Sequence, residues 1–415
     1  MNNRNLLAGM TVAVLIAPSA AYADSFTMWA RADDSTFMTK IVDAFNAGHA
    51  DKVELQIVPT GELVQKYAVA AAGGSAPDAL SLDLIYTPSF AAAGQLEDIT
   101  DLAKSLPYFD ALSKAHLSVG TYKDKIYGVP FSADASVLIW NKDLFAKAGL
   151  DPDKGPTNWA EIRADAEKVK TLGSDIYGFY FSGNCGGCNI FTFTPLIWAS
   201  GGDIFADNGA KSTLNSPAVK DAVAFYQGMV KDGLVPEGAK TDPGANFFAA
   251  FATGKIGISP SGSFAIGALN SQYPNLHYGV TFLPGKDGNK SSFAGGDNFV
   301  VTKGTKKIEL IKQFLDFAYS LPGQTLLAKN GSLPVRADIA KEALAGLDER
   351  YLIPAEAMNV GRTPYSVVFN DLINSPNGPW NTTLNNVFFS TPDAIDQGLA
   401  DGQDAMQTII DQAAQ

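Results

Sequence analysis

The spacing of apolar residues changes period many times along this chain. Phe26 and the run Met28-Trp29-Ala30 predict a first strand. Phe37, Met38, Ile41, Val42 and Phe45 then recur at the spacing of one helical face, with Asp33, Asp34 and Ser35 placed to cap its start. Val53, Leu55 and Ile57 alternate with period two, which predicts a strand. An alanine-rich helix follows over 63–72, closed by Gly73-Gly74, and then a strand over 79–84. Strand and helix in strict alternation predict an α/β fold with a mostly parallel sheet covered by helices.

The alternation resumes in the second half. Asn158 and Glu161 are spaced as a capping box for a helix reaching residue 172. A strand is predicted over 176–181 and a short helix over 193–200. Ser216-Pro217 puts proline at a first helical position, and Val219, Val223, Tyr226, Met229 and Val230 line one face of the helix that Gly233 ends. A helix is predicted over 247–251 and strands over 256–259, 277–283 and 297–301. An amphipathic helix covers 308–320, and helices dominate from 334 onward, the last over 393–412. No repeat or low-complexity linker separates the halves, so two closely joined lobes are expected.

Residues 125–149 stand out. Apolar runs on both sides of Asp134 predict two strands meeting at a corner, then a short helix ending at Gly149. A carboxylate between apolar strands costs free energy unless hydrogen bonds reach it, from the backbone or from a bound solute.

A chain of 415 residues exceeds one ordinary core and predicts two domains. Arg4, the apolar run 6–17 and Ala21-Tyr22-Ala23 read as a secretory signal peptide over 1–23, with Asp24 starting the mature chain. No cysteine stands at the cleavage point to carry a lipid. The net charge of −12 argues against nucleic acid and anionic membranes as partners. The two cysteines, in Cys185-Gly-Gly-Cys188, most simply pair as a local disulfide in an oxidising compartment. The alternative is a redox pair, but such pairs open helices, whereas these residues sit in a glycine- and asparagine-rich stretch read as a loop over 183–189. Three histidines cannot build a convincing zinc site, so no metal or cofactor is expected.

Five segments together resemble one family: Gly73-Gly74-Ser75-Ala76-Pro77-Asp78; Tyr127-Gly128-Val129-Pro130 with Trp140-Asn141-Lys142-Asp143-Leu144-Phe145; Gly201-Gly202-Asp203 with Leu214-Asn215-Ser216-Pro217; Phe251-Ala252-Thr253-Gly254-Lys255 with Gly262-Ser263-Phe264; and Gly331-Ser332-Leu333-Pro334-Val335-Arg336. Their order and spacing resemble the family 1 extracellular solute-binding proteins of bacterial ABC importers, especially the sugar-binding, maltose-binding-protein-like members. The resemblance implies a two-lobed periplasmic binding fold of type II that closes by a hinge. The chain would cross between lobes near 132–136, near Gly295 and near Leu333. The N-terminal lobe would be 24–133 with 296–331, and the C-terminal lobe 134–295 with 332–415.

On that fold Asp134 faces the cleft, where a carboxylate accepts charge-assisted hydrogen bonds from vicinal hydroxyls. Asp83, Asp33 and Asp34 sit at strand ends, where open α/β sheets bind ligands; helix capping is the competing role for each. Arg31 nearby suits a hydroxyl or an anion. Trp29, Tyr86, Trp198, Phe264 and Tyr365 are candidate stacking platforms for the C–H face of a sugar. Gly295, Gly296, Asp297 and Asn298 read as a loop that lets backbone approach a ligand. Arg362 resembles a cleft-lining position of the second lobe, and Asn189 and Phe191 follow the cysteine pair toward the cleft.

The resulting expectation is a periplasmic sugar-binding component of an ABC importer, monomeric and without catalysis, that delivers solute to inner-membrane permease subunits. The alternatives are a binding protein for a non-sugar or an anionic sugar derivative, and a secreted glycan hydrolase. No nucleophile elbow, metal motif or clear carboxylate pair supports the hydrolase.

Overall fold

Eight strands form one sheet to which both halves of the chain contribute: β1 (Ser25–Arg31), β2 (Lys52–Val58), β3 (Ala79–Asp83), β4 (Gly128–Asn141), β5 (Tyr177–Phe179), β6 (Ile256–Gly262), β7 (Tyr278–Thr281) and β8 (Ala294–Val301). The computed structural model describes residues 23–375 and 377–414. The signal peptide read over 1–23 therefore lies, Ala23 apart, outside the described residues. The strand order is β2-β1-β3-β8-β4-β6-β5, with β7 also paired to β4. β1 runs parallel to β2 and β3, and β6 runs parallel to β5. The ladders joining β8 to β3, and β4 to β8, β6 and β7, are antiparallel. The sheet is therefore mixed, not mostly parallel: the strands that carry the chain from one half to the other pair antiparallel with their neighbours.

The expected corner at Asp134 is absent. β4 continues unbroken for 14 residues and changes core along its length. Val129, Phe131, Ala133 and Ala135 pack with Phe26, Ile41, Phe45, Phe299 and Phe314. Val137, Leu138, Ile139 and Trp140 pack with Phe179, Tyr226, Trp380 and Met406. β8 makes the reverse passage, from Phe293 in the second core to Phe299 and Val301 in the first. The supposed loop 295–298 is thus strand, with a bulge between Asp297 and Asn298. The third segment joins at Leu333, whose N–H donates to Ala133 O at 2.7 Å, while the Ala133 N–H donates to Ser332 Oγ at 3.1 Å. Leu333, Val335 and Ala357 still pack in the first core, and Phe369 and Leu372 lie in the second, so this passage is spread over many residues.

His116 is buried beneath the three crossings. A carbonyl only accepts, so Nε2–H donates to Ser132 O at 3.0 Å, and Nδ1 accepts from the Ser113 hydroxyl at 2.9 Å. Burial pushes its pKa down to about 4.

The stretch read as a loop around the cysteines is a helix, Gly186–Thr192. Cys185 caps it, its Sγ accepting the Cys188 N–H at 3.1 Å, and the two cysteines are joined as a disulfide. Gly244, at φ +107°, packs so closely on both sulfurs that a Cβ there would crowd them. At Asn158 the expected cap forms, with Oδ1 accepting the Glu161 N–H at 2.9 Å. Glu161 reaches back to the N–H of Thr157, one residue earlier than the capping box predicts.

Candidate functional site

Where the crossings meet, strand register sets polar groups side by side. Asp83 on β3, Asp297 on β8 and Ser132 on β4 are cross-strand partners, and two residues along Gly295 faces Asp134. Two like charges directly opposite each other destabilise a sheet. Arg31, the last residue of β1, resolves this. Its Nη1 lies 3.3 Å from Asp83 Oδ2, its Nη2 2.7 Å from Asp297 Oδ1, and its Nε 2.9 Å from Asp34 Oδ2. Asp297 also accepts from the Ser81 hydroxyl at 2.7 Å and is fully buried. Burial works against the Arg31 charge, but Asp297, Asp83 and Asp34 hold its pKa well above the usual arginine value.

Asp34 precedes the helix Ser35–Gly48, yet neither it nor Asp33 caps that helix with its side chain. The Asp34 carboxyl instead turns to Arg31, near Asp297; burial first, and Asp297 second, push its pKa up. Asp83 is pushed up to about 6, by burial and Asp297 against the opposing charge of Arg31.

Asp134 differs from its neighbours. Its Oδ1 is buried and has no hydrogen-bond partner among the described residues. Burial, aided by Asp83 and Asp297 and opposed by Arg31, pushes its pKa up to about 7. A Cβ at Gly295 would collide with that oxygen, so the glycine provides the space the carboxylate occupies. A buried acceptor left unmatched costs about 1–3 kcal/mol, which a donor arriving from solution would recover.

Two cavities meet at Asp134, and a third adjoins them at Arg31. One of about 1000 Å³ is lined by Arg31, Asp33, Asp34, Asp134, Phe264 and Gly296, with Ser271, Lys329 and Tyr351 among its other walls. One of about 260 Å³ is lined by Arg31, Asp83, Asp134, Gly296, Asn374 and five phenylalanines, Phe191, Phe247, Phe264, Phe293 and Phe369. One of about 350 Å³ is lined by Arg31, Asp83, Tyr86 and Asn370. Tyr86 also receives a hydrogen bond from Asn374 Nδ2 at 3.1 Å, linking the turn after β3 to the C-terminal region.

The structure thus brings Arg31, Asp33, Asp34, Asp83, Tyr86, Asp134, Phe264 and Gly296 to the cavities, with Asp297 directly behind Arg31. The other candidates lie elsewhere. Asn298 is buried and donates to Thr87 and to His116 O. Trp29 carries Lys66 over its ring at 4.5 Å. Trp198 donates to Asp203 and packs behind Phe293. Asn189 is buried and donates to Ser182 O. Arg362 is exposed, 3.8 Å from Asp203, and Tyr365 packs at the edge of the second core. Sequence reasoning overlooked Phe247, Phe293 and Phe369. Phe293 directly precedes the Ala-Gly-Gly crossing, and that position was the available signal. Among the described residues no group of His, Cys, Asp and Glu is placed to hold a metal ion, and no helix is long and apolar enough to cross a membrane.

Relatives share this architecture. The sugar-binding protein MalE of Xanthomonas citri superposes with a TM-score of 0.83 at 19% identity, covering 94% of this chain and 98% of that one, which shows the two-lobed fold. A binding protein of Brucella abortus is 27% identical over 340 residues, 81% of this chain and 82% of the relative. The diacetylchitobiose binding protein DasA of Streptomyces coelicolor is 28% identical over 323 residues, 75% of this chain and 73% of the relative. The family model for bacterial extracellular solute-binding protein matches residues 30–325, most of the chain with both β4 and β8 inside it, and the protein belongs to that family.

Proposed function

We propose that this protein captures a sugar in the cleft around Asp134 and hands it to the permease of an ABC importer. The observation that carries this reading is the unmatched Asp134 oxygen where two cavities meet beside the chain crossings. A sugar hydroxyl supplies the missing donor, and the phenylalanine faces suit C–H groups. The proposed lobes, 24–133 with 296–331 and 134–295 with 332–415, turn about the crossings at 132–136, Gly295 and Leu333, the last passage extending toward residue 369. Hinge closure of this kind sequesters the ligand. The protein works without catalysis, as a monomer, in the periplasm, after removal of the signal peptide. The sugar ligands named for relatives support this assignment, as does the family itself.

A thermal-shift screen with monosaccharides, disaccharides and polyols tests the reading. A ligand that binds only the folded state raises apparent stability, by about 2.7 kcal/mol at a hundred times Kd. At least one sugar should do so in the wild type and much less in Asp134→Ala. Turnover of a glycan with no shift for any free sugar would overturn it.

A further inference from the structure

We propose that the ligand group entering the 260 Å³ cavity is an amino group carried on the sugar, held by Asp134 and walled by phenylalanine. This deepens the sugar-binding reading and rests on it. The first argument is charge. Arg31 is the one basic residue among the described residues lining this cavity, and each of its three nitrogens already faces a carboxylate. A phosphate or carboxylate entering would meet Asp83 and Asp134 with no uncommitted cation to receive it, and like-charge contact of this kind costs several kcal/mol. The cavity therefore selects against anionic sugars.

The second argument is the balance of donors and acceptors. Asp134 Oδ1 is a buried acceptor with no partner. The cavity's one side-chain amide, Asn374, already donates to Tyr86. The site thus asks its ligand for donors and offers little to a carbonyl, so an N-acetyl group fits it less well than a free amine. A hydroxyl answers Asp134 with a dipole. An ammonium answers it with a dipole and a full charge, and hydrogen bonds between ionised partners are about twice as strong as neutral ones.

The third argument is the wall. Five phenylalanines offer no N–H or O–H, only apolar π surface, and Phe191 packs against both Phe264 and Phe293. Such faces attract cations, by about 0.5–2 kcal/mol depending on solvation. The volume admits a single ring or substituent, while the neighbouring cavity, which shares Arg31, Asp134, Phe264 and Gly296, takes the rest of the ligand.

Isothermal titration of the mature protein against matched sets tests this: gluco-, galacto- and manno-configured hexosamines, each beside its parent hexose, its N-acetyl derivative and its 6-phosphate. In at least one set the hexosamine should bind about tenfold or more tighter than the parent hexose, a difference of about 1.4 kcal/mol. The 6-phosphate should bind weakest. Asp134→Asn should bring hexosamine and parent hexose to about equal affinity, both weaker than in the wild type; Asp83→Asn, which removes the cavity's other carboxylate, should reduce the preference. Equal or tighter binding of parent, N-acetyl or phosphate forms in every set overturns the amine and leaves the sugar reading standing. No binding by any member counts against the sugar reading itself, and the amine falls with it.

Discussion

Ser132, Asp134 and Ser136 share one face of β4, two residues apart, and meet different fates. Ser132 Oγ accepts the Asp297 N–H at 3.2 Å, and Ser136 Oγ accepts the Phe293 N–H at 2.8 Å. Asp134, between them, faces a glycine, and its Oδ1 has no partner. The same contrast holds at larger scale. Behind the strand, His116 and Asp297 form hydrogen bonds or ion pairs as buried polar groups ordinarily must, and Asn298 donates through Nδ2 while its Oδ1 stays unmatched. On the cleft side one oxygen is left open. The difference separates the serines, whose hydroxyls tie the neighbouring strand, from the carboxylate proposed to meet a ligand.

The largest effect should come from breaking the satisfied side. Asp297→Ala leaves Arg31 short of its most buried partner, and loss of one member of a buried ion pair costs about 3–5 kcal/mol; chemical denaturation should show it with or without ligand. Gly295→Ala drives a methyl into Asp134, and overpacking should cost about 1–3 kcal/mol and abolish solute binding in the same titrations. Asp134→Ala attacks the open side alone. Solute affinity should fall about tenfold or more, roughly 1.4 kcal/mol, while the unliganded protein should be no less stable, because the change removes a buried unmatched acceptor.

The contrast also has a pH signature. Asp134 has a raised pKa, so its contribution to stability is full below the unfolded value near 4 and is lost as pH rises to about 7. His116, with a lowered pKa, contributes fully above its unfolded value near 6.5, and that is lost as pH falls toward 4. The two trends oppose each other in the wild type. The stability gap between Asp134→Asn and wild type isolates the first and should widen by about 1 kcal/mol from pH 4 to pH 7.5, after allowance for partial exposure. The smallest effect should be Tyr86→Phe, which removes the hydroxyl that accepts from Asn374 and donates weakly, at 3.5 Å, to Asn370, a change of about 0.5–1.5 kcal/mol. Small-angle scattering should then show a more open average shape, and an unchanged profile would mean the link does not bias closure.

Most elements were legible because their periodicity reflects which face is buried. The helix closed by Gly74, the helix begun at Pro217 and the strand β2 lie close to where the pattern predicts them. Asp134 was legible because a lone charge in an apolar run needs an explanation. The corner was misread because β4 is buried on both faces over most of its length, so it lacks the alternation that marks a boundary. Asp33 and Asp34 looked like caps because local chemistry favours capping, but Arg31 outbids the backbone for Asp34 once β1 and β8 are brought together. Phe191 and Phe264 were legible, but the rest of the phenylalanine wall was not, because Phe247, Phe293 and Phe369 come from three further segments that only the fold gathers.

The crossings also govern the order in which this protein can assemble. The first core combines Phe26 and Ile41 with Phe314 and Leu333, and the second combines Val137 with Met406 and Ile410. Neither core is a contiguous stretch of chain, so a nascent polypeptide emerging from its N-terminus cannot complete either one until most of its length is available. Long-range contacts of this kind fold slowly. The local Cys185–Cys188 pair is different: three residues apart and without competitors, it has one possible partner each and can close early. The unfinished chain must remain unfolded and soluble through most of its synthesis, which makes its late residues, from Leu333 to Ile410, the ones that commit it to the native state.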